Sequence, residues 1–560
     1  MADTVTTTTW TKANSPYRVT GQITVPQGNT LTIEPGVMVL FDTYARIFVE
    51  GSIRAIGTET DSIVFMRGLS EHWGGIRITG GDSSAFAYVR LSDGFATVGP
   101  EYHEGGAVYL EGQARLSVTN CVLSGNQATR GGAICSGGIL YLTGCTLSGN
   151  RCDLHGGALC VSGLTVLSNC TISGNSAKVG GGICGDVTAT GCVFSENTGR
   201  VDGAAISGSG TFTDCTFRGN MTVDNIGWGG VVEAGASTTY TRCRFIGNAT
   251  EGAPIIIGGD SLCHVTLASC VITGNRAGNG DGDAAAALYI KGNDEYADFP
   301  LTRRQPVVKV VSTVIAGNSC EWGSAVGGDY ANVIIVNCTI TGNSRFSNPR
   351  FHVPPEPPIG CAVGLGGESQ GTIVNSILWA NGGPEWFGTG VAVRYSDVMG
   401  GRDGEGNISV DPLFADSASG DFTLLPASPC INAGEPSSPL DPDGTRADMG
   451  ALASGSERPT AVDEVAGPVR FSLEQNFPNP FNPTTTLRFT IPTRGIVSVA
   501  IYDVNGRIVR TLVEGTLDTG PHEVVWDGKD AVGRSVSSGV YLYRLVTPSR
   551  MVTRRMTLVR

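Results

Sequence analysis

Most of the chain consists of short runs in which apolar and polar residues alternate, which is the pattern of strands with one buried face. Between residues 18 and 80 the alternation gives pairs such as Ile47 and Val49. Further along it becomes a repeated phrase: a Cys, any residue, a large apolar residue, two residues and an Asn. The first seven copies follow one another at intervals of 22 to 28 residues. Such a period is typical of a solenoid coil.

Each phrase predicts one strand and one turn. The Cys and the apolar residue stand two apart, so both face the same side of the strand, and the Gly-Asn that usually ends the phrase favours a turn. We expect the phrases to stack coil upon coil, with a column of thiols inside and a ladder of asparagines at the turn. The predicted columns contain Cys121, Cys145, Cys170, Cys192, Cys215, Cys243, Cys270 and Cys338, and Asn126, Asn150, Asn175, Asn197, Asn220, Asn248, Asn275 and Asn343.

Two further strands are predicted in every coil. One follows a glycine pair, as in Gly131-Gly-Ala-Ile-Cys135, and the other is a short alternating run. We expect the alternating strands at Leu140-Tyr-Leu142, Leu164-Thr-Val166 and Val187-Thr-Ala189. Three strands in about 24 residues leave no room for a helix. The sequence therefore predicts an all-β fold with a parallel β-helix, right-handed because parallel crossovers favour that hand.

The 16 cysteines are expected to be mostly reduced core residues. Disulfide scaffolds are typically short chains, whereas this one has 560 residues. Stacked strands also hold their side chains parallel at about 4.8 Å, which does not suit a disulfide. Cys152, Cys320, Cys361 and Cys430 lie off the main column, and we expect any pairing among these four. No Cys-x-x-Cys occurs, which argues against a zinc site.

The repeats carry a resemblance. The opening coils at 18–80, with Leu31-Thr-Ile-Glu-Pro-Gly36 and Trp73-Gly-Gly-Ile76, resemble those of secreted bacterial β-helix proteins of pectin lyase-like fold. The Cys, Asn and Gly-Gly-Ala-Ile phrases of coils 105–400 resemble the repeats of polymorphic outer-membrane proteins. Residues 411–453 resemble the last coil and cap of the same β-helix families. The resemblance implies a β-helix over residues 1–453.

The cap carries one candidate metal site. Asp441, Asp443 and Asp448 stand close together in Asp441-Pro-Asp-Gly-Thr-Arg-Ala-Asp448. Hard oxygen ligands at this density suit calcium, although the twelfth position of a calcium loop is Leu452 and not Glu. The alternative is that these carboxylates form turns and cap the last coil. No other cofactor is expected.

A second domain follows a polar linker at 454–470. Residues 471–560 alternate over longer strands with turn signals between them, which predicts a small antiparallel sandwich. Phe471-Ser-Leu-Glu-Gln-Asn-Phe-Pro-Asn-Pro480, Trp526-Asp-Gly528 and Gly539-Val-Tyr-Leu-Tyr543 resemble the type A carboxy-terminal sorting domain of type IX secretion. That domain has the immunoglobulin-like fold of flagellar hook-capping proteins. The resemblance implies the outer-membrane secretion machinery as a partner and a secreted or cell-surface location.

Charge and motifs exclude several classes of function. The net charge of −13 argues against nucleic acid as a partner, and residues 460–560 carry 12 Lys and Arg against 9 Asp and Glu, so the acidic excess lies in the solenoid. No apolar run is long enough to span a membrane. The amino terminus shows no signal peptide, and we expect that the chain is given in mature form. No zinc-protease motif, nucleophile elbow or phosphate loop is present.

Two functions remain open besides a purely structural role in a surface layer. The first is a non-catalytic scaffold that binds a polysaccharide or cell-surface ligand, as an adhesin does. The second is a polysaccharide lyase or glycoside hydrolase, which would assemble Asp, Arg and Lys on one exposed face. Candidate residues for the second function lie in insertions of the ladder, because function in such folds sits in loops. They are Asp281, Asp283, Asp294, Arg303 and Arg304 in 279–309, His352 and Glu356 in 345–360, and Glu385, Trp386, Asp403 and Glu405 in 381–409.

Overall fold

The structure, a computed structural model, is all-β and contains a right-handed parallel β-helix followed by an immunoglobulin-like antiparallel sandwich. Two compact units divide the chain, Met1–Arg458 and Pro459–Arg560. The structure describes residues 3–4, 6–68, 72–80, 83–96, 104–223, 229–258, 263–278, 285–292, 305–321, 324–345, 361–388, 390–452, 472–473, 476, 479, 481–491, 495–503, 507–517, 520–547 and 551–559.

Three parallel sheets, each with fifteen strands in the described part of the chain, form the walls of the β-helix. Sheet I consists of Asp3–Thr4, Gln22–Val25, Arg46–Val49, Ile76–Ile78, Val108–Leu110, Ile134–Ser136, Leu159–Val161, Ile183–Cys184, Ile206–Ser207, Val232–Ala234, Ile255–Gly258, Leu288–Lys291, Val326–Asp329, Val363–Gly366 and Trp386–Phe387. Sheet II consists of Thr8–Trp10, Thr30–Ile33, Ser52–Ile56, Ser84–Ala87, Arg115–Thr119, Ile139–Thr143, Thr165–Ser168, Val187–Thr190, Gly210–Thr213, Thr238–Thr241, His264–Ala268, Val307–Val311, Asn332–Val336, Gln370–Val374 and Val391–Arg394. Sheet III, which carries the predicted phrases, consists of Tyr17–Val19, Met38–Phe41, Ile63–Arg67, Val89–Ser92, Val122–Ser124, Thr146–Ser148, Thr171–Ser173, Val193–Ser195, Thr216–Arg218, Arg244–Ile246, Val271–Thr273, Val314–Ala316, Thr339–Thr341, Ile377–Trp379 and Asp397–Val398.

A fourth sheet was not expected. The prediction of three strands per coil is wrong for the middle of the solenoid, because a further strand follows the asparagine turn. Its residues, such as Gln127–Arg130, offer little apolar alternation from which a strand could be predicted. Sheet IV consists of Phe95–Ala96, Gln127–Arg130, Arg151–His155, Ser176–Val179, Thr198–Asp202, Met221–Thr222, Ala249–Thr250, Arg276–Ala277, Ser319–Cys320 and Ser344–Arg345.

The thiols of the repeated phrase stack in register inside the β-helix. The backbone N–H of the residue after each Cys donates to the carbonyl of the Cys one coil earlier, as from Thr146 to Cys121 and from Thr171 to Cys145. Thr313 takes the place of the Cys between Cys270 and Cys338, and its hydroxyl accepts the Cys270 N–H at 3.2 Å. Burial raises the pKa of the Cys338 thiol to about 12. These thiols are small apolar members of the core.

The asparagines form one continuous hydrogen-bonded ladder. Asn150 Oδ1 accepts from the backbone N–H and from the side-chain Nδ2 of Asn126, each at 3.0 Å. Asn150 Nδ2 in turn donates to Asn175 Oδ1 at 2.9 Å and to the Leu123 carbonyl at 3.0 Å. Buried amides are therefore satisfied from coil to coil. The ladder includes two asparagines that the phrase did not identify, Asn318 and Asn381.

Glycine pairs form the corner between sheets IV and I because the backbones of neighbouring coils touch there. A Cβ atom added to Gly157 would lie 2.0 Å from the Gly181 carbonyl oxygen. Gly156 has a φ of +74°, and a Cβ atom there would lie 2.0 Å from the Leu159 oxygen. The Gly-Gly pair thus allows a turn too tight for any side chain.

One predicted register is wrong by a residue. Leu140 pairs with Thr165, and Leu142 pairs with Leu167, so Thr165 and Leu167 face inward. Leu164 is 54% exposed and lies outside the strand. The reason is the fixed spacing to the next strand: one residue with positive φ, Gly144 or Asn169, separates sheet II from the phrase in both coils. The inward residues of each sheet II strand therefore stand at a fixed number of residues before the Cys of the phrase.

All 16 cysteines are free, so the expectation of pairing among the four off-ladder thiols is wrong. Each of them meets partners other than a thiol. Cys152 Sγ lies 3.0 Å from the Thr129 carbonyl, Cys320 packs against Ala277 and Ala286, and Cys430 Sγ lies 3.3 Å from Asp397 Oδ2. Cys361 is buried, and burial raises the pKa of its thiol to about 12.

A cap covers the outer face of the last coils of sheet III. It contains an antiparallel pair of strands, Phe414–Asp416 and Asp421–Leu424, joined across the 3₁₀ helix Ser417–Ser419. A second 3₁₀ helix, Lys12–Asn14, lies in the first coil. The cap is fastened to the solenoid by the Ala451 N–H, which donates to Thr339 Oγ1 at 3.0 Å, and by Ile377, which packs against Cys430 and Met449.

The second unit contains two antiparallel sheets. One has Ser472–Leu473, Thr485–Ile491 and Gly520–Trp526, and the other has Ile508–Leu517, Gly495–Tyr502, Gly539–Val546 and Met551–Leu558. Their inward faces form one core around Trp526 and Tyr543. The Asn476 N–H donates to the Tyr543 hydroxyl at 2.9 Å, which ties the start of the domain to its core.

Candidate functional site

The residues predicted as a catalytic site belong to insertions of the ladder. Asp281, Asp283, Asp294, Arg303 and Arg304 lie outside the described residues, and so do His352 and Glu356. Their proposed role remains a prediction.

The candidate calcium ligands accept hydrogen bonds from neighbouring groups of the cap. Asp441 Oδ2 accepts the Asp448 N–H at 2.8 Å, and Asp448 Oδ1 accepts the Asn432 N–H at 2.6 Å. Asp443 Oδ1 accepts the N–H and the hydroxyl of Thr445 at 2.9 and 2.7 Å. Across the described part of the chain, no group of three or more His, Cys, Asp or Glu is placed to hold a metal ion. These contacts fit the turn and capping alternative, and calcium stays an untested prediction.

The candidates in 381–409 have structural contacts. Glu385 is 2% exposed and accepts from Asn381 Nδ2 at 2.6 Å, so it ends the asparagine ladder. The Arg402 guanidinium lies 3.4 Å from the centre of the Trp386 ring. Glu405 accepts the Tyr395 hydroxyl at 2.7 Å. Asp403 is exposed in the same loop.

Two rows of outward side chains, which together we call the polar groove, run along the corner where sheet IV turns into sheet I. The register aligns the members of each row at one-coil intervals. The row on sheet IV contains Glu104, Arg130, His155, Val179 and Asp202. The row on sheet I contains Tyr109, Cys135, Cys160, Cys184, Ser207 and Glu233.

The glycine corner brings the two rows together. Arg130 and Cys135 are separated by the tight turn that begins Gly131-Gly132, so residues five apart in sequence lie side by side. Glu104 touches both rows: its Oε1 lies 3.6 Å from Arg130 Nη1, and its Oε2 lies 3.7 Å from Cys135 Sγ. At the start of the groove, the buried Arg77 side chain lies 5.7 Å from the Tyr109 ring.

Three ionisable groups of the groove, Glu233, Asp202 and His155, have shifted pKa values. Burial raises the pKa of the Glu233 carboxyl to about 7, and the nearby charge of Asp202 adds to the shift. Burial also raises the pKa of Asp202, while Lys178 opposes that shift. Burial lowers the pKa of His155, with Arg130 and Lys178 adding to the effect. A carboxyl whose pKa is raised to about 7, as that of Glu233 is, is a group from which acid catalysts are drawn.

The groove was not predicted from the sequence. Along each row its members stand about 25 residues apart, one from each coil, and only the cysteines belong to a repeated phrase. The signal that could have found the row on sheet I is the fourth residue after the first glycine of each corner, where Cys135, Cys160, Cys184, Ser207 and Glu233 recur on the outward side of a strand.

Two family models match parts of the chain. Residues 74–232 match the right handed beta helix region, and residues 485–549 match the FlgD Ig-like domain. No curated protein matches the sequence.

Several solved structures show limited likeness. PorU of Porphyromonas gingivalis is 28% identical over 16% of this chain, with a TM-score of 0.14, and PorZ of the same organism, titled a component of its type-IX secretion system, is 26% identical over 21%, with a TM-score of 0.13. This chain covers only 9% and 14% of those two proteins. Pectate lyase Pel9A is 13% identical, with 77% of this chain and 89% of that chain covered and a TM-score of 0.25. At these TM-scores the likeness does not extend to the arrangement of a site.

Proposed function

We propose that this protein is an exported polysaccharide-binding scaffold that holds a glycan chain along the polar groove. One observation carries the proposal: polar side chains recur in register from coil to coil, from Glu104 and Tyr109 to Asp202 and Glu233, with Val179 as the one apolar member.

Chemistry supports a glycan as the occupant. A polysaccharide presents similar hydroxyl groups at every sugar, and parallel strands repeat at about 4.8 Å, a spacing comparable to the length of one pyranose ring. Arg130 supplies donors, while Glu104 and Asp202 supply acceptors along one row. The Tyr109 ring offers a flat apolar surface with a polar end. Side chains of successive coils can therefore contact successive sugar units of one chain.

Export is supported by the second domain. Its FlgD Ig-like match and antiparallel core agree with the fold expected of a type IX sorting domain, and its sequence motifs resemble that domain. The proposed role is tested in a bacterium that has type IX secretion machinery, by comparing the full chain with a chain that ends at residue 470, both preceded by the same signal peptide of that bacterium. We expect the full chain to reach the cell surface or the medium and the shortened chain to stay in the cell. Equal export of both would overturn this part of the proposal.

Binding is tested by affinity electrophoresis of the full chain in gels that contain pectin, xylan, cellulose derivative or mannan. The double variant Arg130→Ala and Tyr109→Ala is expected to lose retardation by the polysaccharide that retards the wild-type protein. Arg115→Ala is the matched control, because Arg115 is exposed on sheet II, away from the groove. Retardation unchanged in the double variant would place binding elsewhere, and no retardation by any polymer would contradict glycan binding.

A second candidate function is glycoside hydrolysis in the same groove. The observation that favours it is Glu233, whose carboxyl has a pKa of about 7 beside the Asp202 carboxylate. A protonated Glu233 could donate its proton to the glycosidic oxygen while Asp202 takes a proton from the attacking water. Glu233→Gln is then expected to abolish the release of reducing ends and to keep binding. If the wild-type protein releases neither reducing ends nor unsaturated product, only the binding function remains.

A further inference from the structure

A cleft of about 750 Å³ lies between the cap and the outer face of sheet III. Its floor is formed by outward side chains of successive strands, including Thr273, Thr341 and Trp379. Its wall is the cap segment with Phe414, Phe422 and the 3₁₀ helix Ser417–Ser419. A volume of this size is ordinary for a site that binds a small molecule.

The apolar part of the cleft is aromatic. Phe414 and Phe422 meet edge to face with their ring centres 5.4 Å apart. Trp379 and Phe414 are partly buried and pack against the cluster of Ile377, Cys430 and Met449. The rings are thus held from behind, and each keeps some surface toward solvent, which suits stacking against a flat apolar face.

The polar part of the cleft consists mainly of hydroxyl groups. Thr273, Thr341, Ser417 and Ser419 contribute to the lining, and Asp411 is its one charged residue. Asp411 Oδ1 accepts the Leu413 N–H at 2.9 Å. Hydroxyls and a carboxylate can exchange hydrogen bonds with the hydroxyls of a ligand. The negative charge disfavours an anionic ligand.

The cap that forms the wall is rigidly attached, so little has to be ordered when a ligand binds. Cys430 Sγ lies 3.3 Å from Asp397 Oδ2, and Ser428 Oγ donates to the Pro412 carbonyl at 2.6 Å. Arg394 and Glu435 form an ion pair at 2.7 Å. A preformed site of this kind avoids part of the entropy cost of binding.

We propose that the cap cleft is a second saccharide site, which takes a neutral pyranose unit stacked on Trp379 and the cap phenylalanines and hydrogen-bonded by the surrounding hydroxyls and Asp411. It is formed by residues other than those of the polar groove and does not depend on the groove being a glycan site. A neutral sugar meets both halves of the lining, because its ring has an apolar face and a polar edge.

The proposal is tested by calorimetry of the full chain with cellohexaose, mannohexaose and hexagalacturonate as probes. We expect at least one neutral hexasaccharide to bind and hexagalacturonate not to bind in the cleft. Trp379→Ala is expected to weaken binding of the neutral probe about tenfold, while Tyr141→Ala, an exposed aromatic on sheet II, leaves it unchanged. Trp379→Phe keeps an aromatic ring at this position and is expected to retain most of the affinity, which separates loss of stacking from loss of folding.

Failure of this proposal and failure of the proposed groove can be told apart. If Trp379→Ala and Phe422→Ala bind as the wild-type protein does, while Arg130→Ala with Tyr109→Ala does not, the cleft is not the site and the groove is. If the cleft variants lose a neutral probe and the groove variant keeps it, the cleft stands alone. Absence of binding by all the neutral probes would overturn the inference.

Discussion

Asn381 Nδ2 donates to Glu385 Oε2 at 2.6 Å, and with this bond the asparagine ladder ends in a buried carboxylate and no longer in an amide. The Asn381 N–H also donates to Glu385 Oε1, at 3.2 Å. At the other end the Gly94 N–H donates to Asn126 Oδ1 at 2.9 Å. The ladder thus has a backbone donor at one end and an acceptor of two hydrogen bonds at the other, so no side-chain amide within it is left half satisfied.

Removing an asparagine from the middle of the ladder should be costly. In Asn197→Ala the N–H and Nδ2 groups of Asn175 lose their acceptor in the buried interior. We expect the free energy of unfolding to fall by about 1–3 kcal/mol. Urea unfolding followed by circular dichroism measures it, with Asn14→Ala, at an exposed position, as the control. Equal stability of the two variants would contradict a structural role for the ladder.

Two glycines of neighbouring turns should respond differently to the same substitution. Gly157→Ala places a Cβ atom 2.0 Å from the Gly181 oxygen, whereas the same change at Gly149 meets nothing within 4 Å and only strains a φ of +62°. We expect a loss of about 1 kcal/mol for Gly149→Ala and roughly 3 kcal/mol for Gly157→Ala. Soluble yield and melting temperature distinguish the two. Similar losses of stability in the two variants would show that the backbones at the corner can move apart to admit a side chain.

The two thiol columns should differ in reactivity. Cys160 and Cys184 are partly exposed on the outer face of sheet I, while the eight thiols of the repeated phrase are buried in sheet III. The hydrogen bond with Cys135, together with burial, raises the pKa of the Cys160 thiol to about 12, so reaction should be slow even there. We expect iodoacetamide to modify Cys160 and Cys184 in the native protein and the buried column only after denaturation. Peptide mass spectrometry gives the sites, and modification of Cys215 in native protein would contradict the packing.

Glu233 should make stability depend on pH. Its folded-state pKa of about 7 lies above the value of about 4.3 in an unfolded chain, so the folded state binds the proton more tightly. The resulting stability is complete below about pH 4 and is lost as the pH rises through about 7. We expect the free energy of unfolding to fall less between pH 5 and pH 8 in Glu233→Gln than in the wild-type protein, because the variant lacks the group that titrates. Urea titrations at the two pH values measure this difference. Parallel curves would mean that Glu233 titrates normally.

The solenoid could be predicted because the same phrase recurs in most coils. The prediction failed at coils in which the phrase is altered. Asn318 and Asn381 were not predicted as ladder residues, because Thr313 and Ser376 stand where the phrase has Cys. The hydroxyls of Thr313 and Ser376 nevertheless take the place of a thiol in the column. Leu164 was placed inside because apolar character alone cannot fix a register. The groove could not be predicted, since Asp202 and Glu233 meet only through strand pairing. Trp379 becomes part of a cleft only when a distant cap folds over it.

The asparagine ladder makes every rung exchange the same bonds with the rung before and the rung after. Removing one complete turn of the chain, for example the residues from Cys170 to Gly191, would bring Cys192 and Asn197 onto the places left by Cys170 and Asn175. The length of the β-helix can therefore change in steps of one coil. Duplication or loss of a coil would give longer or shorter proteins that keep the same core.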